Sequence, residues 1–235
     1  TIDLEAAKAR GIPVCNLPGT NSQAVAELTL GLMLAVLRRL VRFDCRLRGG
    51  AWTDPLLQDG IGELCGRTVG LVGYGAIPRI LAPILAAMGC TVLFAARKPQ
   101  TDVVGQQVAL DALLAQADIV SLHVPLTDET TRMIDAAAVA HMKPGAILIN
   151  TARGGLVDQR ALVDALRSGR LAGAGLDVFD AEPIAQSDPL LALPNVVVTP
   201  HIGWLTTGTF DRSFELAAEN CRRLAAGEPL LHRVI

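Results

Sequence analysis

The sequence lacks several features that define large classes of protein. Its five cysteines are scattered, odd in number and without a Cys-x-x-Cys pair, which argues against a disulfide framework and a zinc site. Apolar runs are interrupted by charge or glycine well before they could cross a membrane, and the N-terminal residues have no signal-peptide pattern. We therefore expect a cytoplasmic protein with reduced thiols, no bound metal and no membrane partner.

An excess of charge of either sign is also missing. The chain has 21 lysines and arginines against 23 aspartates and glutamates, so its composition gives no indication of a nucleic-acid partner. Apolar side chains are abundant instead. They make up 51% of the 235 residues, which is enough to bury a large core.

A strand followed by two glycines is the most informative motif. Residues Thr68–Val72 form a short, β-branched and apolar run, which is typical of a strand buried on both faces of a parallel sheet. Gly73 and Gly75 follow, and the backbone N–H groups of such a turn can bind a pyrophosphate at the positive end of a helix starting near Ala76. Pro78 replaces the third glycine of G-x-G-x-x-G, and a first helical turn tolerates proline. By itself the motif also fits an ordinary turn between a strand and a helix.

The second predicted strand, 91–95, indicates which dinucleotide is bound. An NAD-specific site places an acidic residue at its end, on the ribose hydroxyls. Here the chain has Ala96, Arg97 and Lys98, so no carboxylate repels a 2′-phosphate and a guanidinium is present to bind one. NADP(H) is therefore favoured over NAD(H). The alternative is a solvated strand end without a ligand.

Strand and helix signals alternate along most of the chain. Further strands are predicted at 119–123, 146–150, 172–176 and 196–199. Helices are predicted after the glycine turn and at 110–115, 136–141, 158–168 and 207–226. Short strands separated by helices imply right-handed crossovers, so we predict an α/β fold with a doubly wound parallel sheet.

The segment before the glycine turn has a different pattern. Residues 21–39 predict a long helix capped by Asn21 or Ser22. Apolar residues cover nearly every face of this helix, so it needs cover on most sides, and we expect a homodimer interface there. In the helix after the glycine turn, Pro83 removes one internal hydrogen bond and predicts a bend.

Three polar residues, Arg153, Glu182 and His201, lie in the segments that follow the last three predicted strands. Doubly wound sheets bind ligands at the carboxyl ends of their strands. There a guanidinium can hold a carboxylate in a bidentate pair, and a glutamate favours a protonated imidazole that can donate to a carbonyl oxygen. Taken singly, Arg153 could cap a helix, Glu182 could be a solvated loop charge and His201 could be structural.

The chain resembles the D-isomer-specific 2-hydroxyacid dehydrogenases, the family of phosphoglycerate, hydroxypyruvate and glyoxylate enzymes. The motifs that carry the resemblance are GLVGYGAIP, HVPLTDETTRMID, MKPGAILINTARGGLVD, GLDVFDAEP and VVTPHIG, in this order. The resemblance implies that Arg153 binds the substrate carboxylate and carbonyl, while Glu182 supports His201 as the catalytic histidine.

The resemblance also implies a set of contacts with the cofactor, NAD(P)(H). With the glycine turn and the end of the second strand, the candidate cofactor-binding residues are Gly73, Gly75, Ala76, Ile77, Arg97, Val124, Pro125, Thr151, Ala152, Arg153, Asp177, His201 and Gly203. Asp177 is expected on the nicotinamide amide.

Members of the family normally carry a flavodoxin-like substrate domain ahead of the region matched here. We expect 1–18 to be a remnant of that domain, 19–202 to be the dinucleotide-binding domain, and 203–235 to return to the substrate domain. Without its usual cover, the C-terminal helix should expose apolar residues such as Phe214 and Leu224.

The predicted reaction is hydride transfer between NAD(P)(H) and a small 2-oxo or 2-hydroxy acid, with His201 as the proton donor. Three alternatives stay open. They are a non-catalytic dinucleotide-sensing interaction protein, an inactive fragment of such a dehydrogenase, and a dehydrogenase of formate or phosphite. The sequence does not identify the 2-oxo acid, because side-chain specificity depends on the substrate domain.

Overall fold

The computed structural model describes residues 2–52 and 61–235. Its contacts separate two compact units. The larger unit is Val25–Gly203, and the smaller contains the residues up to Ala24 together with Trp204–Ile235. All of the candidate site residues belong to the larger unit.

The larger unit is built on a parallel sheet. Its strands are β1 Thr68–Val72, β2 Thr91–Ala95, β3 Gln106–Gln107, β4 Ile119–Leu122, β5 Ala146–Asn150, β6 Leu171–Leu176 and β7 Val196–Val198. The spatial order is β3-β2-β1-β4-β5-β6-β7, and every neighbouring pair is parallel. The strand order reverses direction between β1 and β4, which makes that point the topological switch of a doubly wound sheet. The predicted fold class is confirmed.

Helices cover both faces of this sheet. Across both units, the α-helices of the described residues are α1 Leu4–Ala9, α2 Ser22–Leu37, α3 Leu40–Arg48, α4 Ala76–Ala87, α5 Leu110–Gln116, α6 Ala136–His141, α7 Gln159–Arg167 and α8 Thr207–Ala226. Strand residues alternate between two buried clusters, as a pleated strand requires. Val120 packs in the cluster that contains residues of α5, α6 and α7, while Ile119 packs in the cluster that contains residues of α2 and α4.

Helix α2 packs closely against β6. A Cβ atom at Gly175 would lie 2.9 Å from Cβ of Leu32 and 2.9 Å from Cδ1 of Ile149, so glycine is needed for this approach. Met33 on the same helix is fully buried. The chain's own sheet therefore covers part of this apolar helix, and dimerisation through it stays a prediction.

Several element boundaries differ from the predicted ones. Helix α2 ends two residues early because Arg39 adopts a left-handed conformation, with φ of 52°, and the unpredicted helix α3 follows. Strands β4 and β7 each end one residue early, which places His123 and Thr199 in loops. Helix α4 runs without interruption through Pro83.

The smaller unit contains α1 and α8. Thr206 caps α8 by accepting a hydrogen bond from the N–H of the third following residue. Nε of Arg212 on this helix donates to the backbone oxygen of Thr20 at 2.7 Å. Phe214 and Leu224 are exposed, as predicted.

Within residues 2–52 and 61–235, no helix combines the length and the apolar character needed to cross a bilayer. The same residues contain no group of three or more histidine, cysteine or acidic side chains placed to hold a metal ion. All five cysteines are free thiols.

Candidate active site

The candidate site residues meet at one edge of the sheet, because each follows the carboxyl end of a parallel strand. Gly73, Gly75, Ala76 and Ile77 follow β1, Arg97 follows β2, Val124 and Pro125 follow β4, Thr151, Ala152 and Arg153 follow β5, Asp177 and Glu182 follow β6, and His201 and Gly203 follow β7. This is the edge at which doubly wound sheets bind their ligands.

The turn after β1 has the geometry of an anion-binding turn. Gly73 has φ of 99°, its N–H donates to the oxygen of Ala95 at 2.8 Å, and a Cβ there would lie 2.5 Å from the oxygen of His123. Gly75 precedes the 12-residue helix α4 and, having no side chain, leaves the first N–H groups of that helix for a ligand. Pro78 is buried in the first helical turn, where proline loses no helical hydrogen bond. The turn fits a pyrophosphate.

The loop after β2 carries the residues predicted to select the dinucleotide. The Arg97 side chain is 88% exposed, and its Nη1 lies 3.8 Å from Oε2 of Glu129, which is 79% exposed. Nε2 of Gln107 donates to the backbone oxygens of Ala96 at 3.0 Å and Lys98 at 3.1 Å, which shapes the loop. The end of β2 therefore presents a guanidinium, with one carboxylate near it that comes from a different loop.

His201 and Glu182 form a hydrogen-bonded pair. Nδ1 of His201 lies 2.6 Å from Oε2 of Glu182, and the N–H of Phe179 donates to Oε1 at 2.9 Å. Partial burial opposes ionisation of this carboxyl. The hydrogen bonds from His201 and Phe179, together with the positive charge of Arg153, outweigh burial and hold the pKa of Glu182 below its usual value. Because Nδ1 is engaged, Nε2 of His201 is the nitrogen left for a substrate.

A buried asparagine shapes the loop that carries Arg153. Asn150, the last residue of β5, is 1% exposed, and its Nδ2 donates to the backbone oxygen of Arg153 at 2.8 Å. Its Oδ1 accepts from the N–H of Ala152 at 3.0 Å. A Cβ at Gly154 would lie 2.0 Å from the backbone carbon of Phe179, so glycine lets the loops after β5 and β6 come together. This contact brings the exposed Arg153 guanidinium towards the histidine–glutamate pair.

The Asp177 carboxylate lies inside the turn that carries His201, and Asp177 is 1% exposed. Its Oδ1 accepts from Oγ1 of Thr199 at 2.6 Å and from the N–H of Ile202 at 2.9 Å, and its Oδ2 accepts from the N–H of Gly203 at 2.9 Å. A carboxylate has about four acceptor positions, so one remains for the predicted contact with a nicotinamide amide.

Thr151 turns its hydroxyl towards helix α2. Oγ1 of Thr151 lies 2.9 Å from Oγ1 of Thr29, which itself donates to the oxygen of Val25 at 2.7 Å. Thr151 is then the donor to Thr29, so its hydroxyl proton is used within the protein. Thr151 can therefore contact a cofactor only through the lone pairs of its hydroxyl oxygen or through its backbone.

His123, directly after β4, is paired with Ser121 and has a different character from His201. Its Nε2 lies 2.9 Å from Oγ of Ser121, and among the described residues its buried Nδ1 has no hydrogen-bond partner. Burial lowers the pKa of His123 to about 4, so the imidazole is neutral at physiological pH. It is unsuited to donate a proton as an imidazolium.

Sequence reasoning missed Asn150, Thr199 and Glu129 as parts of the site. A signal was present for Asn150, since a polar residue that ends a fully apolar run must be hydrogen-bonded when it is buried. Thr199 and Glu129 carry no local signal, because their partners are 22 and 32 positions away along the chain.

The sheet, the glycine turn and the ligand-binding edge define a Rossmann-type dinucleotide-binding protein. The family model described as D-isomer specific 2-hydroxyacid dehydrogenase, NAD binding domain, matches residues 30–203. The chain belongs to this family, which confirms the resemblance.

Curated relatives extend the match across the chain. Glyoxylate reductase of Thermococcus litoralis is 44% identical over 237 residues, covering 97% of this chain and 71% of the relative. D-3-phosphoglycerate dehydrogenase of Mycobacterium leprae is 43% identical over 233 residues, covering 97% of this chain and 43% of the relative. Hydroxypyruvate reductase of Thermotoga maritima is 44% identical over 205 residues, covering 86% of this chain and 66% of the relative. The chain thus spans only part of each of these enzymes.

Solved structures agree with this assignment. The TT0316 protein from Thermus thermophilus superposes with a TM-score of 0.92 at 47% identity, covering 100% of this chain and 75% of that one. D-lactate dehydrogenase with NAD+ from Lactobacillus jensenii gives 0.90 at 33% identity, with the same coverage. An acyclic imino acid reductase in complex with NADPH and D-Arg gives 0.88 at 32% identity, also with the same coverage.

Proposed function

We propose that the protein reduces a small 2-oxo acid to its D-2-hydroxy acid with NAD(P)H, or catalyses the reverse oxidation. The observation that carries the proposal is the 2.6 Å contact between His201 and Glu182, at the same sheet edge as the glycine turn. Glyoxylate and hydroxypyruvate are the substrates to try first, because relatives named for these acids are 44% identical.

The roles of the side chains follow from their surroundings. When bound, NAD(P)H supplies the hydride that reduces the carbonyl carbon. Arg153 holds the substrate carboxylate and polarises the carbonyl. Glu182 accepts a hydrogen bond from Nδ1–H of His201 and favours the imidazolium, so that Nε2 can donate its proton to the carbonyl oxygen as negative charge develops there.

The cofactor contacts are part of the same proposal. The helix start after Gly75 binds the pyrophosphate, and the remaining acceptor position on Asp177 binds the nicotinamide amide. Val124, Pro125 and the backbone at Thr151 and Ala152 line the rest of the edge. Ala96 and Arg97 favour NADP(H) over NAD(H), because a guanidinium attracts a 2′-phosphate that a carboxylate would repel.

The organisation of the chain is also proposed. Residues 19–202 form the dinucleotide-binding domain, and 1–18 with 203–235 belong to a substrate domain. The protein acts in the cytoplasm as a homodimer that uses the region 21–39. Light scattering tests the dimer, and a monomer at micromolar concentration would contradict it.

The test of the function is oxidation of NADPH and NADH, followed by absorbance, with glyoxylate and with hydroxypyruvate. The proposal expects turnover, faster with NADPH. A dinucleotide sensor or an inactive fragment would bind NADPH, as measured by fluorescence, without turnover of either acid. A dehydrogenase of formate or phosphite would instead reduce NADP+ with one of those acids. Either result would contradict the proposal.

A further inference from the structure

The turn that carries His201 is held from its inner side by one buried carboxylate. Three groups donate to Asp177: the Thr199 hydroxyl at 2.6 Å, the Ile202 N–H at 2.9 Å and the Gly203 N–H at 2.9 Å. These donors lie on both sides of His201 in the chain. The carboxylate therefore fixes the turn before and after the histidine.

His201 itself has a conformation that needs such support. Its φ is 54°, in the left-handed region that residues other than glycine rarely occupy. Residues persist there only where the surrounding structure over-determines them. The other backbone contact within the turn runs from the N–H of His201 to the oxygen of Thr199, at 3.0 Å.

Asp177 is in turn fixed by the sheet. Its N–H donates to the oxygen of Asn150, the last residue of β5, at 3.0 Å. The carboxylate has little freedom to follow the turn, because Asp177 is 1% exposed, and the backbone of Gly203 approaches it so closely that an added Cβ there would lie 3.0 Å from Oδ2. The end of the sheet thus fixes the position of Asp177, and the Asp177 carboxylate fixes the turn.

We propose that Asp177 is a positioning residue for His201, which it holds in the left-handed conformation that keeps Nδ1 against Glu182. The role of His201 as proton donor rests on the proposed function, but the positioning is a property of the folded chain. Asp177 and Thr199 thus have a positioning role in the turn, which is separate from the contact predicted between Asp177 and the nicotinamide amide.

The test observes the imidazole directly and needs no substrate. The chain has four histidines, so the low-field proton NMR signal of an imidazole N–H bonded to a carboxylate is assigned by its loss in His201→Asn. We expect Thr199→Val and Asp177→Asn to lose or broaden this signal. Thr199→Val removes the hydroxyl that donates to Asp177, and Asp177→Asn replaces an accepting carboxylate oxygen by an amide group that cannot accept. Thr199→Ser keeps the hydroxyl and should restore the signal.

Asp188→Asn is the matched control. Asp188 accepts from the N–H of Leu190 at 2.9 Å and from Nε2 of Gln159 at 2.8 Å, so like Asp177 it is a carboxylate with a backbone and a side-chain donor, although it is only partly buried. A purely structural loss would lower the melting temperature of all three variants alike and leave the His201 signal in place below the transition. Circular dichroism at the NMR temperature confirms that each variant is folded.

An unchanged His201 signal in folded Thr199→Val and Asp177→Asn would overturn the proposal. If the turnover assay is also positive, Thr199→Val should lower kcat about tenfold while the Kd of NADPH changes less than twofold. Absence of turnover in the wild-type chain would contradict the proposed function alone, because the NMR signal reports the turn without any reaction.

Discussion

The two halves of the ligand-binding edge are built differently. After β5, β6 and β7, the residues that hold Arg153 and His201 are buried: Asn150 and Asp177 are each 1% exposed and hydrogen-bonded on several sides. After β2, Arg97 and its nearest carboxylate are 88% and 79% exposed and 3.8 Å apart. The half proposed for catalysis is thus held by buried hydrogen bonds, whereas the half proposed to select the cofactor is a solvated charge pair.

The difference has a physical consequence for function. Dipoles and charges that are already oriented stabilise a developing charge without reorganisation, which is what proton transfer to a carbonyl oxygen needs. An exposed ion pair contributes little to stability, so its members are free to exchange partners. We therefore expect changes in the catalytic half to affect turnover strongly and changes in the β2 half to affect cofactor choice modestly.

The largest effect is expected for His201→Asn. It removes the imidazole paired with Glu182, and the rate of hydroxypyruvate reduction should fall by roughly 10²–10⁴-fold. His141→Asn, which changes an exposed histidine at the end of α6, is the control and should leave kcat within twofold. Steady-state kinetics measures both variants. Equal losses in the two would mean that His201 has no special role.

A smaller effect is expected for Arg97→Ala. Loss of the guanidinium should weaken NADPH binding about tenfold and leave NADH binding within twofold, because only the former carries a 2′-phosphate. Lys98→Ala removes a neighbouring charge of the same sign that lacks the planar fork, so it should cost less. Fluorescence titration gives both dissociation constants. Equal weakening of NADPH and NADH by Arg97→Ala would contradict the assigned contact.

Asp118→Asn tests stability at the opposite edge of the sheet. Asp118 accepts from the N–H of Thr68 at 2.8 Å and from Nζ of Lys143 at 2.5 Å. Partial burial raises its pKa, but the Lys143 and Thr68 hydrogen bonds outweigh this and hold the pKa below its usual value. We expect the substitution to lower the free energy of unfolding at neutral pH by about 1–3 kcal/mol.

The sign of the pH dependence follows from that lowered pKa. The ionised Asp118 stabilises the folded state above the pKa of the unfolded chain, about 3.9, and this stabilisation is lost as the pH falls through the lower folded value. The free energy of unfolding, measured with urea from about pH 6 to about pH 3, should therefore fall less with decreasing pH in Asp118→Asn than in wild type. The exposed Asp164→Asn is the control and should keep the wild-type slope. Parallel curves for wild type and Asp118→Asn would contradict the assignment.

The smallest effect is expected for Glu129→Gln. Removing the carboxylate near Arg97 should tighten NADPH binding about twofold to fivefold and leave NADH binding unchanged, since a repulsion with the 2′-phosphate disappears. Asp128→Asn makes the same charge change one residue away. Titrations in low and moderate salt compare the two, and an equal gain for Asp128→Asn would show a diffuse charge effect rather than a pairing with Arg97.

The fold could be predicted where the determinants are local. Apolar runs ending in glycine or polar residues identified β1, β5 and β6, and the glycine turn and the start of α4 at Ala76 follow from the same signals. The short strand β3 and the helix α3 were not predicted. The former consists of two exposed glutamines, and the latter follows a left-handed arginine and has no buried residue, so neither corresponds to a buried apolar run in the sequence.

The candidate site divides in the same way. Arg153, Glu182 and His201 were located because each follows a predicted strand, and parallel strands bring their carboxyl ends to one edge. The support of His201 by Asp177 and Thr199 could not be predicted, because it depends on how two distant loops fold against one another. Local sequence thus predicted the candidate reacting groups, and tertiary contacts determine how firmly each is held.

The central claim is hydride transfer to a 2-oxo acid at the edge that His201 and Arg153 share. It is tested most directly with NADPH deuterated at both C4 positions of the nicotinamide and hydroxypyruvate, followed by mass and chiral analysis of the product. The account predicts deuterium at C2 of D-glycerate, and formation of this product by His201→Asn at a rate lower by roughly 10²–10⁴-fold. An L product, or deuterium that never reaches the 2-oxo acid, would contradict it.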